Sequence, residues 1–171
     1  RRLGVAQALV HEPKVLIVDE PTVGLDPEER LRFRQLMARL ASDRTIVLST
    51  HIVADLGSTC SDLALLDRGR VEFRGAPSEL IAAAHGKVVE VEASNTAAVE
   101  RLEVVQQRTV DGRTWVRGVA GNERIDGAQA IDDITLEEGY LAFMVGLGRH
   151  VEDLDIEVDD AAGTAAASNA A

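Results

Sequence analysis

Two short apolar runs separated by a helical pattern constrain the fold of this chain more than any other feature. Residues 3–10 have helical spacing, and residues 15–18 are then apolar at every position, as in a parallel strand covered on both faces. Asp26 and Pro27 predict a helix start, with Asp as the N-cap and Pro at the first helical position. Residues 45–49 form the second apolar run. A strand, a helix and a strand in this order predict a right-handed crossover and a parallel sheet.

A third apolar run extends this first part of the chain. Residues 63–66 are followed by a turn and by a strand pattern at residues 71–74. A short helical pattern at residues 77–84 comes next, and His85-Gly86 marks the predicted domain boundary. We therefore predict an α/β fold for residues 1–84.

After this boundary the pattern becomes that of a small α+β domain at residues 87–148. Residues 89–93 alternate apolar and acidic side chains, which is typical of a strand with one face in water. Residues 97–102 form a weak helical pattern. Asp111-Gly112 lies between two strand patterns and predicts a tight hairpin.

A capped helix and an acidic segment end the chain. Thr135 and Glu138 have the spacing of a capping box, which predicts a helix over residues 136–147. Residues 151–171 hold six acidic side chains and no basic ones. We predict that this last segment is a disordered acidic tail, because it lacks the apolar residues that a packed structure needs.

Charge and cysteine content exclude several classes of protein. The net charge of −11 argues against a nucleic-acid partner, since such a protein needs a basic face to neutralise phosphates. The single cysteine excludes a disulfide framework and a cysteine-only zinc site, and it fits a cytosolic chain. No apolar run approaches the ~20 residues that span a bilayer.

Polar side chains follow the two predicted parallel strands, where each strand ends. Asp19 and Glu20 come after the first strand, and His51 follows the second. Because the carboxyl ends of parallel strands meet at one sheet edge, we expect these side chains to lie close together. Taken singly, each also fits an ordinary loop residue. Together, the aspartate can hold Mg²⁺ and the glutamate can orient or deprotonate a water molecule.

These motifs resemble the ATP-binding cassette (ABC) ATPases. Residues 15–20 match the Walker B strand with its adjacent glutamate, and residues 24–26 match the D-loop. His51 matches the switch histidine. Residues 1–10 resemble the helix after the signature sequence, and residues 63–75 resemble the end of the catalytic domain.

The resemblance implies a fold and a set of roles. The fold is part of a P-loop NTPase parallel sheet with helices, followed by the small α+β domain. Glu20 and His51 would be catalytic, with His51 contacting the γ-phosphate of ATP. Asp19 would bind Mg²⁺ near the phosphates. Asp26 would lie at the interface of a homodimer in which two ATPase subunits enclose two ATP molecules, a role compatible with its being an N-cap.

The branch of the family is indicated by two further stretches. Residues 22–27 resemble transporter ATPases, and residues 134–141 resemble the C-terminal domain of drug- and multidrug-export ATPases. These resemblances imply an ATPase subunit that couples ATP hydrolysis to export through a separate membrane-spanning permease subunit. Such a subunit is cytoplasmic and peripheral on the inner face of the plasma membrane. A DNA- or ribosome-acting member is disfavoured by the charge and by Gly24.

A non-catalytic regulatory or interaction fragment is the alternative. The 171 residues contain no G-x-x-x-x-G-K-[ST] phosphate loop, signature run or Q-loop glutamine, and they begin with Arg1. We therefore expect a C-terminal fragment that by itself binds MgATP negligibly and is inactive, because the backbone donors and lysine of the phosphate loop dominate triphosphate recognition.

Overall fold

The computed structural model describes residues 2–56, 60–121, 123–150 and 154 of the chain. It has a mixed α/β architecture with several sheets, in two compact units, Arg1–Cys60 and Ser61–Ala171. The predicted acidic tail, residues 151–171, lies outside the described residues apart from Leu154. Among the described helices the longest has 14 residues, and none is long and apolar enough to cross a membrane.

The first unit is a helix followed by a strand, a helix and a strand. Its elements are α1 (Arg2–Leu9), β1 (Val15–Asp19), α2 (Pro27–Leu40) and β2 (Thr45–Ser49), with a 3₁₀ helix at Val53–Asp55. The two strands pair in parallel, with Val15 opposite Thr45 and Asp19 opposite Ser49. The predicted parallel pairing is therefore confirmed, and it brings the carboxyl ends of both strands to one edge.

The β1–β2 sheet is covered on one face only within this unit. Leu16 is 3% exposed, whereas Ile17 is 74% exposed and Val47 is 51% exposed. The prediction that this strand is covered on both faces is therefore wrong for the first unit. An apolar run shows that a strand is suited to burial on both faces. Burial of both faces also requires helices or strands that pack on each of them. The described residues of this unit supply none over Ile17 and Val47.

The second unit is built on antiparallel strands. A hairpin of β3 (Leu63–Asp67) and β4 (Arg70–Gly75) is followed by α3 (Pro77–Ala83). The remaining elements are β5 (Val88–Glu92), α4 (Thr96–Val99), β6 (Leu102–Val110), β7 (Arg113–Ala120), β8 (Gln129–Ala130) and α5 (Leu136–Gly146). A four-stranded sheet has the order β6-β7-β5-β8.

Local signals in this unit are confirmed where they are strongest. Asp111 and Gly112 both have positive φ, 51° and 76°, as a tight hairpin turn between β6 and β7 requires. Thr135 and Glu138 form the predicted capping box at the start of α5. Both signals satisfy backbone requirements through residues within three positions of each other, so they can be read from a short stretch of sequence.

Two predictions for this unit are corrected. Glu90 is only 3% exposed, so β5 has no face in water. Val88 and Val91 are fully buried on its two faces. The predicted helix at 97–102 is reduced to α4, and Leu102 begins β6. Alternation distinguishes two faces of a strand, but it does not show whether the polar face is wet or is covered by an ion pair.

Helices α3 and α5 pack closely together inside the second unit. Leu80 on α3 is 1% exposed, and Ala84 just after it joins the apolar cluster that includes Val88 and Leu141. The hairpin and α3 thus belong to the compact unit that begins at Ser61. The functional division into residues 1–84 and 87–148 stays a prediction.

A Gly139→Val substitution in α5 is expected to destabilise the protein by about 1–3 kcal/mol through overpacking. A Cβ at Gly139 would lie 3.2 Å from the backbone of Ile81 and Leu80, and backbone atoms cannot turn aside. Gly146→Val is the matched control in the same helix, because a Cβ there meets nothing within 4 Å. Urea unfolding of both variants measures the difference, and equal midpoints would contradict this account of the α3–α5 contact.

Candidate active site

The ends of β1 and β2 place two polar side chains opposite each other. Asp19 and Ser49 are register partners, and the Ser49 hydroxyl donates a hydrogen bond to Asp19 Oδ1. The backbone N–H of Glu20 donates to the carbonyl of Ser49 at 3.0 Å, which extends the pairing by one residue. The strand ends are therefore held together directly beneath the predicted site.

Glu20 leaves the strand in a left-handed conformation. Its φ is 43°, which few residues without a glycine's freedom adopt. In a strand, successive side chains point to opposite faces, but this left-handed turn interrupts that alternation at Glu20. The direction of the Glu20 side chain therefore does not follow from that of Asp19. Glu20 Oε1 instead lies 2.9 Å from Nδ1 of His51. The structure thus brings together two residues that the sequence places at the ends of different strands.

The Glu20–His51 pair is half-exposed. The side chain of His51 is 40% exposed and that of Glu20 is 33% exposed. A carboxylate that accepts from Nδ1–H orients the imidazole ring and directs Nε2 away from the pair. The arrangement can therefore hold a carboxylate base, Glu20, next to an imidazole, His51, that can hydrogen-bond a ligand. Both side chains are exposed enough for a small molecule to reach them.

A buried hydrogen bond links the two loops that carry this pair. Thr22 Oγ1 donates to Asp55 Oδ2 at 2.5 Å, and both residues are buried, with exposures of 1% and 5%. Thr22, Asp55 and Ser49 are not among the site residues predicted from the sequence. The signal in the sequence that could have indicated them is their position within four residues of Glu20 or His51. The burial of Asp55, however, cannot be predicted from the residues beside it in the sequence.

Asp26 is the N-cap of α2. Its Oδ1 accepts a hydrogen bond from the backbone N–H of Glu29 at 2.8 Å. Gly24, with φ 78°, turns the loop between Thr22 and Asp26. The structure gives Asp26 no hydrogen bond or ion pair with Asp19, Glu20 or His51 among the described residues. Its predicted place at a subunit interface stays a prediction.

Asp19 is the side chain that could contribute to a metal site. No group of three or more His, Cys, Asp or Glu side chains in the described part of the chain could hold a metal ion alone. In proteins Mg²⁺ is usually bound by one or two carboxylates, with substrate phosphate oxygens and water completing its coordination. Asp19 is exposed, and the Ser49 hydroxyl occupies only its Oδ1, so Oδ2 can take part in such a set.

Comparison with known proteins gives several relatives and no matching protein-family model. The chain is 41% identical over 118 residues to the Nod factor export ATP-binding protein I of Paraburkholderia xenovorans, covering 67% of this chain and 39% of that protein. The protein of the same name from Ralstonia nicotianae is 43% identical over 104 residues, which are 60% of this chain and 32% of its own length.

A more distant match extends further along the chain. The Nod factor export ATP-binding protein I of Rhizobium sp. (strain N33) is 33% identical over 153 residues, covering 80% of this chain and 50% of that protein. The chain thus spans between about a third and a half of the length of these curated relatives.

Proposed function

Because the chain belongs to the ABC transporter ATPase family, we propose that it carries the hydrolytic half of a nucleotide site in an ATPase that drives export. The observation that supports this proposal is the Glu20–His51 pair, at 2.9 Å, beside Asp19 at the ends of two parallel strands. The relatives are named for export and for ATP binding, and this chain would share both properties.

In this proposal Glu20 and His51 are the catalytic residues. Glu20 would orient the water that attacks the γ-phosphate of ATP and accept its proton. His51 is held by Glu20 through Nδ1 and would donate from Nε2 to the γ-phosphate as the imidazolium, in which both ring nitrogens carry a proton. Phosphoryl transfer depends mainly on such positioning and on charge stabilisation. The half-exposed position of the pair leaves room for nucleotide and water.

Asp19 would hold Mg²⁺, directly or through water, with its position fixed by the Ser49 hydroxyl. When bound, Mg²⁺ neutralises charge on the β- and γ-phosphates. Asp26 would lie against a second ATPase subunit in a homodimer. The sheet of the first unit would form part of a P-loop NTPase parallel sheet, whose additional layer would cover the exposed face at Ile17 and Val47.

The proposed partners are a membrane-spanning permease subunit and a second copy of the ATPase. The ATPase would act at the inner face of the membrane, where it couples hydrolysis to export. Residues 87–148 would form an accessory domain that modulates dimerisation and coupling. In the second unit, the ion pairs of Glu90 with Arg108 and Glu138 with Arg117 join elements of the unit to each other. These contacts fit a structural role for the unit.

The test is phosphate release by the full-length protein. We expect hydrolysis that requires Mg²⁺ and saturates with ATP. Nucleotide binding should be measured in parallel by fluorescence. A full-length protein that neither binds nor hydrolyses ATP would overturn the proposal in favour of the non-catalytic interaction module.

An Asp19→Asn substitution in the full-length protein is expected to weaken Mg²⁺ binding by about 10- to 100-fold, a typical cost of altering groups around a metal. The amide keeps the shape and the hydrogen bond from Ser49 but loses the charge. The measurement is a Mg²⁺ titration of nucleotide binding as well as of hydrolysis. Asp43→Asn, at an exposed position beside Arg44, is the matched control. Unchanged Mg²⁺ dependence in Asp19→Asn would remove Asp19 from the metal site.

A further inference from the structure

A buried polar link lies between the loops that hold Glu20 and His51. Thr22 is two residues after Glu20, and Asp55 is four residues after His51. The hydrogen bond from Thr22 Oγ1 to Asp55 Oδ2 spans 2.5 Å and joins residues 33 positions apart in the chain. It lies within the first unit, is buried, and connects the loop that follows β1 with the 3₁₀ helix that follows β2.

The link is anchored to regular structure. Asp55 ends the 3₁₀ helix at Val53–Asp55, and Arg34 of α2 donates from Nη1 to the carbonyl of Ala54 at 3.1 Å. Thr22 follows the buried Pro21, so its own loop is also held in place. Movement of either loop relative to the other would have to break the Thr22–Asp55 bond or displace α2.

A small cavity adjoins the link. It has a volume of about 20 Å³, and Thr22, Asp55 and Arg34 are among its lining residues. The Nε of Arg34 is buried and has no acceptor among the described residues. A cavity of this size holds one water molecule, which needs two to four polar partners. One water can therefore join Arg34 to the polar groups of the link.

Burying the carboxylic side chain of Asp55 costs free energy, so good packing is not a sufficient reason for its presence here. A hydroxyl and a carboxylate removed from water lose hydration, and a hydrogen bond between them returns only part of it. Two apolar side chains would fill the same space without that loss. The advantage of the Thr22–Asp55 pair is its geometry. A hydrogen bond has a narrow range of distances and angles, so it fixes the relative position of the two loops more closely than an apolar contact does.

We propose that Thr22 and Asp55 are positioning residues that set the geometry of the Glu20–His51 pair for hydrolysis. The inference rests on the proposed function. Neither residue contacts the reacting groups in this account. Each acts through the backbone of its loop, Thr22 on Glu20 and Asp55 on His51. Loss of the link allows the two side chains to separate, and hydrolysis falls while nucleotide binding, which depends on other groups, is kept.

The experiment uses the full-length protein with Thr22→Val, which removes the hydroxyl and keeps the shape, and Thr22→Ser, which restores the hydroxyl. Because a misplacement of about 1 Å can cost ~100-fold in rate, we expect Thr22→Val to lower kcat by about 10- to 100-fold with KM for ATP within about twofold. Thr22→Ser should return kcat to within about threefold of wild type, because it keeps the donor. Thr109→Val, at an exposed Thr–Thr contact in the β6–β7 hairpin, is the matched control.

A second readout does not depend on turnover. The ring ¹⁵N signals of His51 report its hydrogen bonding, and they should move in Thr22→Val but not in Thr22→Ser or Thr109→Val. Should Thr22→Val fail to fold, Thr22→Ala removes the hydroxyl without replacing it and serves for both measurements. Unchanged His51 signals together with more than half of the wild-type kcat would overturn the proposal.

The proposed function and this inference can fail separately. Wild-type protein that hydrolyses ATP, together with Thr22→Val that does so equally well, overturns only the positioning role. If wild type lacks hydrolysis, the proposed function fails, and the His51 signals alone decide whether the link sets the pair's geometry. A parallel loss of kcat in Thr22→Val and Thr22→Ser, with a lowered unfolding midpoint in both, indicates a purely structural role and also overturns the inference.

Discussion

Replacing Glu20 by Gln is expected to lower ATP turnover of the full-length protein by about 10²- to 10⁴-fold, the usual contribution of a general base. The amide keeps the size of the side chain and can still accept a hydrogen bond from His51, so the local structure is retained. It cannot take a proton from water at neutral pH. Nucleotide binding should be unchanged, and the ATP-bound dimer should persist because hydrolysis no longer ends it. Phosphate release and mass measurements with ATP check both parts.

Glu28→Gln is the matched control for this substitution. Glu28 lies on α2 with its side chain 72% exposed and forms an ion pair with Arg32 of the same helix, so the turnover of Glu28→Gln should equal that of wild type. The double variant Glu20→Gln/His51→Ala tests whether the pair acts as a unit, since effects within a unit are far from additive. Turnover of Glu20→Gln within a few-fold of wild type would show that Glu20 is not the base.

Removal of the Glu138 carboxylate is expected to cost about 3–5 kcal/mol of unfolding free energy, the usual result of breaking one side of a buried ion pair. Arg117 binds Glu138 with both Nε and Nη2, the latter at 2.8 Å, and the two side chains are only 13% and 5% exposed. Burial by itself lowers the pKa of Arg117, but the hydrogen bonds and charge of Glu138 outweigh it, and the pKa is raised. Glu138→Ala leaves this cation buried without its main partner.

The same substitution also removes one half of a helix cap. Glu138 Oε2 accepts from the backbone N–H of Thr135 at 2.8 Å, so the start of α5 loses a bond as well. Glu28→Ala is again the control, because its pair with Arg32 is exposed on both sides and such pairs are worth about 1 kcal/mol or less. Urea unfolding measures both. A loss below about 1 kcal/mol in Glu138→Ala would contradict the prediction and show that the contacts of Arg117 with Asp133 are enough to hold the cation.

Elements set by adjacent residues were predictable from the sequence. The start of α2 at Pro27, the capping box of α5 and the hairpin at Asp111-Gly112 all appear where their signals predict them. Each signal satisfies backbone groups or a required φ value within three or four residues.

Burial was less predictable, because it depends on what packs against each strand. Glu90 lies where the alternation of β5 predicts water, yet Arg108 of β6 binds its carboxylate with Nε at 2.8 Å and Nη2 at 2.7 Å. Ile17 lies where an apolar run predicts burial, yet it is 74% exposed in its unit. The polarity of a side chain indicates whether burial or water is favourable for it. Which of the two it has depends on the helices and strands that pack against it.

The candidate site likewise has features that follow from the sequence and features that depend on tertiary packing. The sequence by itself determined that Asp19, Glu20 and His51 come at one edge, because two parallel strands joined by a helix must end on the same side. Only the tertiary structure decided that Glu20 turns towards His51 and that Thr22 binds Asp55. Both contacts join residues far apart in the chain. Local sequence pattern fixes the ends of the strands, whereas the direction of the side chains beyond them is fixed by packing of the loops against each other.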